Sequence, residues 1–415
     1  MSIRQNIYPA DDLSKVLEAS DDSKKVVNYV RWLLLTVVLL TTIGLTMLYS
    51  ASYGTAGLKF FRNQLIWVFL GTCGGIAAFL AGYRRIASKA AGWIILSTLL
   101  LIIARFCFPP INGAYRWIQI KIPGFAFSIQ PSEFAKIAVA LFCAKYCSDN
   151  FRTFNEFKSK HGILPLAAWT GIAIGGILLG EDLGTTILVA SMALGTLLAA
   201  GMKLRYLIPP GFCAVLIGLY VFFFNPTRLD RIRSFTQAEL MRKEEGYQLW
   251  NSLMALGSGG WFGIGFMESR LKASYLPEAH TDFILAVIGE ELGFVMLLFI
   301  LLLYSIFTYC GYKISRSSNS RLGMFLGFAL TLGISIQAII NIAVISGSAP
   351  TKGMPAPFIS YGGSNIIASL TAVGLLAAIA AETVSPGYSD YYVEIFQKWF
   401  PFLFWKRRAR KEEKA

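Results

Sequence analysis

Apolar residues along this chain fall into long runs broken by short polar connections. A helix crosses a bilayer with about 20 consecutive, mostly apolar residues. Ten stretches approach that length: 30–50, 64–83, 92–108, 129–146, 163–179, 185–201, 204–224, 283–309, 322–346 and 358–381. The fourth, fifth and sixth are short, which leaves their ends soft. The pattern predicts an all-α polytopic membrane protein with about ten transmembrane helices. One connection stands apart, because residues 225–282 separate the seventh and eighth spans. A connection longer than about 15 residues usually carries structure or function of its own.

Residues 1–29 mix acidic and basic groups (Asp11, Asp12, Asp21, Asp22, Lys24, Lys25). They lack a short apolar core followed by a small-residue cleavage site. The expectation is a disordered cytoplasmic tail, then a membrane domain over 30–382 whose first span is an uncleaved anchor. Residues 383–415 make a second, basic tail with Lys406, Arg407, Arg408, Arg410 and Lys411. Lysine and arginine in short connections set orientation. Arg84, Arg85 and Lys89 follow span two, and Arg152, Lys158 and Lys160 follow span four. Lys203 and Arg205 follow span six, and Lys313, Arg316 and Arg321 follow span eight. All fall on one side if both termini are cytoplasmic. The long loop and the segments 112–130 and 347–357 then face outward together.

Composition narrows the picture. The chain is 55% hydrophobic and 15% charged, against about 25% charged in a soluble domain. Its mean hydropathy of +0.55 excludes reading the net charge of +14 as a basic stripe for nucleic acid. Positive-inside topology and anionic headgroups account for that charge better. The 38 glycines fit helices packed closely in lipid. The six cysteines form no CxxC pair and read as packing residues, not as a metal site or disulfide framework.

Four outward segments carry the unusual residues. NGAYRWIQI (112–120) and SIQPSEFAK (128–136) place Tyr115, Arg116 and Trp117 at an interface, with Glu133 and Lys136 three apart on one helix face. A charge at membrane depth costs roughly 2.5–3.5 kcal/mol, so these two are either a structural ion pair or a cavity wall where Lys136 also meets an anionic substrate. GEDLGTT (180–186) reads first as a solvated turn in which Asp182 caps a helix.

The long loop holds RLDRIRSF (228–235), which is expected to lie flat on the outer leaflet. GYQLWNSLMALGSGGWFGIGF (246–266) follows as an amphipathic helix running into a glycine-rich turn. Such glycines can cradle phosphate, a weak signal alone. LPEAHTDF (276–283) brings Asp282 to the mouth of span eight, with Glu278 and the outward histidine His280 close by. Glu290 and Glu291 lie deeper and need interior partners, for which Gln337 and Asn341 on span nine are candidates. SAPTKGMPAPFISYGGSN (348–365) is a rigid non-helical segment that holds Lys352 beside a glycine break.

Taken in order, NGAYRWI, QPSEFAK, EDLGTT, GYQ…SLMALGSGG, PEAHTDFI…GEELGF and PTKG…PFISYGGS resemble the SEDS (shape, elongation, division and sporulation) family. The resemblance runs from Val30 to about Glu382. The TKG at 351–353 and the polar tails look more like its division branch than its elongation branch. The resemblance implies a peptidoglycan glycosyltransferase that polymerises lipid II outside the bacterial cytoplasmic membrane during septal synthesis. It implies a class B penicillin-binding protein as paired transpeptidase, and other divisome membrane proteins as partners. It makes Asp282 the essential carboxylate and Arg116, Glu133, Lys136 and Lys352 the matching positions for substrate handling. Gln248 and Ser360, within GYQ and PFISYGGS, complete the candidate substrate-binding set. Ser128, Ser274, Glu181 and Asn365 depart from the family's usual residues.

The chemistry agrees with such a set. A sugar hydroxyl attacks an anomeric carbon whose leaving group is a lipid pyrophosphate. That leaving group needs cations, not a protonating acid, while the neutral hydroxyl benefits from a general base. One carboxylate with basic residues should suffice, unlike the paired carboxylates of glycosidases. Asp282 is then the base, and Lys352, Arg116 and Lys136 face the pyrophosphate. A divalent cation (Mg or Mn) could supplement them, although no ligand set is defined. A helix N-terminus would lower the pKa of Asp282 and partial burial beside Glu278 would raise it. The competing functions are a flippase for lipid II, which needs a polar path inward, and a non-catalytic division scaffold.

Overall fold

The computed structural model describes residues 10–111, 114–122, 125–157, 159–206, 239–240, 246–269, 280–351 and 353–388. The described residues contain eleven helices and one two-stranded sheet. They are α1 (Ala10–Ala56), α2 (Lys59–Ala81), α3 (Tyr83–Ser88), α4 (Ala90–Cys107), β1 (Ile118–Ile122), β2 (Phe125–Ile129), α5 (Pro131–Asp149), α6 (Ile163–Leu179), α7 (Leu183–Ala199), α8 (Tyr247–Gly259), α9 (Ile284–Arg316), α10 (Arg321–Ile345) and α11 (Gly363–Val384).

Six of the helices (α1, α2, α4, α9, α10 and α11) are long and apolar enough to cross a membrane. With the shorter apolar helices α6 and α7, they make this a multi-pass membrane protein. The predicted fourth span is α5, whose Glu133, Lys136, Lys145 and Asp149 break its apolar run. The predicted seventh span, 204–224, lies almost wholly outside the described residues, as does RLDRIRSF. The first helix corrects an expectation. It starts at Ala10, within the segment read as a disordered tail. Between Ala10 and Gly44 there is neither glycine nor proline, so nothing in the backbone stops a helix from running on into the first span. The last helix begins at Gly363, five residues later than the predicted span, because 353–362 is an irregular strap. The hairpin β1–β2 went unforeseen; it is antiparallel, with Ile118 opposite Ile129 and Gln119 opposite Ser128.

Small residues set the helix packing. On α2 and α11, Gly75 and Gly374 press backbone to backbone: a β-carbon on Gly374 would fall 2.1 Å from the Gly75 carbonyl oxygen. Close approach of this kind replaces the hydrophobic driving force that lipid cannot supply. The outer faces stay apolar, with Phe69 67%, Leu99 52% and Leu302 54% exposed. Such surface is costly in water and appropriate against lipid.

α9 is broken at Gly293, whose φ of 80° and ψ of −179° suit glycine alone. The turn after α8 heals the break. Ile264 and Gly265 N–H donate to the carbonyls of Glu290 and Glu291, and Phe294 and Val295 N–H donate to Gly260 and Trp261. Side chains have no room here, since a β-carbon on Gly263 would lie 2.1 Å from the Glu291 oxygen. The glycines of this turn therefore serve a helix junction, which overturns their reading as a phosphate cradle. The two buried glutamates find partners here too, not on α10. Ser269 donates to Glu290, while Ser50 Oγ (2.7 Å) and the Met267 N–H (3.0 Å) donate to Glu291.

Candidate active site

Asp282 immediately precedes Phe283, the N-cap of α9. It opens onto a polar cavity of about 920 Å³. The walls come from the start of α2, the segment around the hairpin, the first turn of α5, residues His280–Asp282 and the strap 353–365. Gly353 sits against the carboxylate. A β-carbon there would be 2.8 Å from Asp282 Oδ2 and 3.9 Å from Arg116 Nη2. Carboxylate and guanidinium thus flank one glycine.

Asp182 holds Arg116 in that place. As N-cap of α7 it accepts the Thr185 N–H at 3.2 Å. It also accepts Gln130 Nε2 (3.0 Å) and Ser132 Oγ (3.2 Å), and lies 3.7 Å from Arg116 Nη1. Capping is as the sequence suggested, and Glu181 is exposed as a solvated turn requires, but Asp182 itself is buried, 2% exposed. Its weight in the site was missed because a capping aspartate looks alike whether or not it also grips a cation. Arg116 Nε is buried with no hydrogen-bond partner, which leaves donor capacity for an anion.

Glu133 and Lys136 form an ion pair of 2.7 Å in the first turns of α5. Asn365 Nδ2 donates to Glu133 at 2.9 Å, and Lys136 donates to Gln337 Oε1 at 2.8 Å. Glu133, Gln337 and Asn365 line the cavity, with Lys136 tied to them. The unusual Asn365 is therefore a working member of the pair's surroundings. On α10, Gln337 Nε2 donates to the Pro355 carbonyl at 2.8 Å. One turn on, Asn341 Nδ2 donates to the carbonyls of both Asp282 (2.9 Å) and Met354 (2.7 Å). These two amides, expected to serve Glu290 and Glu291, instead bolt the strap and the start of α9 together.

The remaining wall is the start of α2. Gln64 is buried and bonds the strap twice, to the Ser360 carbonyl and from the Gly362 N–H, each at 3.2 Å. Phe60 stacks on His280 at 4.3 Å and meets Tyr361 at 5.0 Å. Lys59 and Arg62 line the cavity beside it. Sequence reasoning passed over both, although two cations in a connection expected to face outward run against the positive-inside bias.

Of the predicted site residues, Asp282, Arg116 and Glu133 meet at the cavity, with Lys136 bonded into its wall. Ser360 is corrected: it is 2% exposed and its Oγ accepts the Ala356 N–H at 2.7 Å, so it fastens the strap. Gln248 lies on the first turn of α8, which packs on α9 and α10, and is not among the cavity-lining residues described. Lys352 and Glu278 lie outside the described residues. Among the described residues no three His, Cys, Asp or Glu side chains gather as metal ligands.

A family model for cell cycle proteins, the FtsW, RodA and SpoVE family, matches residues 31–385. The chain belongs to this family. The motif resemblance thus holds across the whole membrane region. An FtsW/RodA/SpoVE relative from Trichlorobacter lovleyi, named a probable peptidoglycan glycosyltransferase FtsW, is 36% identical over 86% of this chain and 94% of its own. Another of the same name, from Taylorella equigenitalis, is 37% identical over 82% of this chain and 95% of its own. Among solved structures, a chain of a peptidoglycan synthase complex superposes with a TM-score of 0.71 at 23% identity, covering 85% of this chain and 97% of that one. The rod shape determining protein RodA of Thermus thermophilus gives 0.61 at 23% identity, covering 84% and 96%. At that identity the two structures speak for the fold alone.

Proposed function

We propose that this chain is a peptidoglycan glycosyltransferase that polymerises lipid II at the outer face of the bacterial cytoplasmic membrane, at the division septum. The observation that carries the reading is Asp282 and Arg116 flanking Gly353 in one polar cavity. Asp282 takes the proton of the acceptor hydroxyl as its oxygen bonds to the anomeric carbon. The bond from that carbon to the pyrophosphate oxygen breaks, and its electron pair leaves with the phosphate. Arg116, oriented by Asp182, receives the charge that develops there, where a fixed donor is worth most. Any magnesium or manganese ion would travel with the substrate's pyrophosphate.

The relatives' names support both the activity and the septal role. Membership of the family supports a partner transpeptidase of the class B penicillin-binding type, alongside other divisome proteins. The reading includes ten spans with both termini cytoplasmic and the loop 225–282 outside, supported by the basic connections. A polymerase also fits the site better than a flippase. Below Lys136, α5 carries no charge until Lys145, and Val139, Leu141, Phe142, Cys143 and Cys147 are buried. The test is lipid II polymerisation by the full chain with its partner. Asp282→Asn should lose about 10²-fold or more in rate with little change in KM. Polymerisation by that variant at the unchanged rate would remove Asp282 as the base.

A further inference from the structure

The cavity carries more positive charge than one leaving group requires. Lys59 and Arg62 belong to a different wall from Arg116, and among the described residues neither has an ion-pair partner. Ordinary headgroup anchors need not face a cavity, and these do. Their position is also built, not accidental. Gln64 bolts the same helical turn to the strap, and Phe60, between the two cations, stacks on His280, two residues before Asp282. Asn63 in the same turn and Tyr361 both line the cavity. The cavity thus has two cationic walls, with Asp282 beside one and the ring of Tyr361, backed by Phe60, beside the other.

A glycan polymerase handles two lipid-linked sugars in each cycle, and so two pyrophosphates. The donor's pyrophosphate leaves from the carbon under attack, so it must lie close to the base; Arg116 meets that condition. The acceptor's pyrophosphate stays bonded at the far end of its disaccharide and needs a separate cationic seat. We propose that Lys59 and Arg62 hold the acceptor's pyrophosphate, with Tyr361 as an apolar platform for the sugars between the two walls. This rests on the glycosyltransferase reading above. The acceptor's pyrophosphate neither gains nor loses a bond in the step, so contacts to it are the same in ground and transition states. They lower the acceptor KM and leave kcat alone.

The test separates the two roles with two analogues and the full-length chain together with its partner transpeptidase. A lipid-linked disaccharide with its terminal 4-hydroxyl blocked can only donate. One with a methylene in place of the glycosyl oxygen, a phosphonate, can only accept. K59Q/R62Q should raise the acceptor KM about tenfold or more, the loss expected for charge-assisted hydrogen bonds, with the donor KM within about twofold. A third substrate, an acceptor whose pyrophosphate is replaced by a neutral linker, should be poor for the unchanged chain and no worse for K59Q/R62Q. K59R/R62K should restore the charged acceptor, and matched thermal midpoints exclude misfolding. An unchanged acceptor KM, an equal rise in donor KM, or the same penalty with charged and neutral acceptors would overturn the proposal. If the unchanged chain transfers no sugar at all, the glycosyltransferase reading fails and takes this proposal with it.

Discussion

Replacing Gly353 by alanine perturbs the site by a single methyl group. A β-carbon at Gly353 would sit 2.8 Å from Asp282 Oδ2 and 3.7 Å from its Cγ. Non-bonded atoms rest about 3.5 Å apart, so the carboxylate must retreat by roughly half an ångström or more. What yields is the end of a short side chain, not backbone, and an off-rotamer carboxylate costs about 1 kcal/mol. Gly353 is not among the residues with positive φ, so alanine adds no backbone strain. Stability should therefore hardly move. Activity should fall sharply, because a misplacement near 1 Å can cost about 10²-fold, equivalent to about 2.7 kcal/mol of barrier. The assay pairs initial rates of lipid II polymerisation with thermal unfolding in the same detergent. The geometry is wrong if G353A polymerises at the unchanged rate. It is equally wrong if the rate and the thermal midpoint collapse together, since that would make Gly353 a folding residue.

Other perturbations separate fold from site. Gly293→Ala forces a side chain onto a φ of 80° and to within 2.4 Å of the Gly263 nitrogen and the Trp261 oxygen, both backbone atoms. It should lower stability by roughly 1–3 kcal/mol, read as a drop in thermal midpoint; an unshifted midpoint would contradict the break in α9. Lys136→Met leaves the buried Glu133 carboxylate without its cation and should cost about 3–5 kcal/mol. E133Q/K136M should recover most of that loss, and a single variant as stable as the unchanged chain would show that the pair does not matter for folding. Asp182→Asn keeps a good helix cap, so stability should stay within about 1 kcal/mol. With Arg116 no longer held by a charge, kcat should fall about tenfold, and an unchanged kcat would deny Asp182 its orienting role.

Helices were the most legible feature of this chain, because lipid imposes a single requirement. Every backbone polar group must be satisfied within its own segment, so an apolar run of the right length becomes a helix. That logic located α2, α4, α6, α7, α9, α10 and α11 to within a few residues, apart from the first turns of α2 and α11, which the cavity wall and the strap claim, and the last two turns of α9, which run on to Arg316. It failed where polar groups find partners elsewhere. The break at Gly293 is invisible in an apolar sequence because its freed carbonyls and N–H groups are matched by residues 260–265, which are distant along the chain.

The site followed the same division. By itself the sequence marked Asp282 and the Glu133–Lys136 pair, since charges beside hydrocarbon are too costly to keep without a purpose, while Arg116 came in through the family resemblance. Only the tertiary structure decided which of them share a cavity and which residues act behind them. Asp182 grips Arg116 across two helices, Asn341 and Gln337 serve the strap in place of the buried glutamates, and Ser360 is spent on a turn. Lys59 and Arg62 stayed hidden because a cation at a helix start reads as a headgroup anchor until its surroundings are known. Burial and direction are properties of packing between elements remote in sequence, whereas hydropathy and charge are properties of each residue alone.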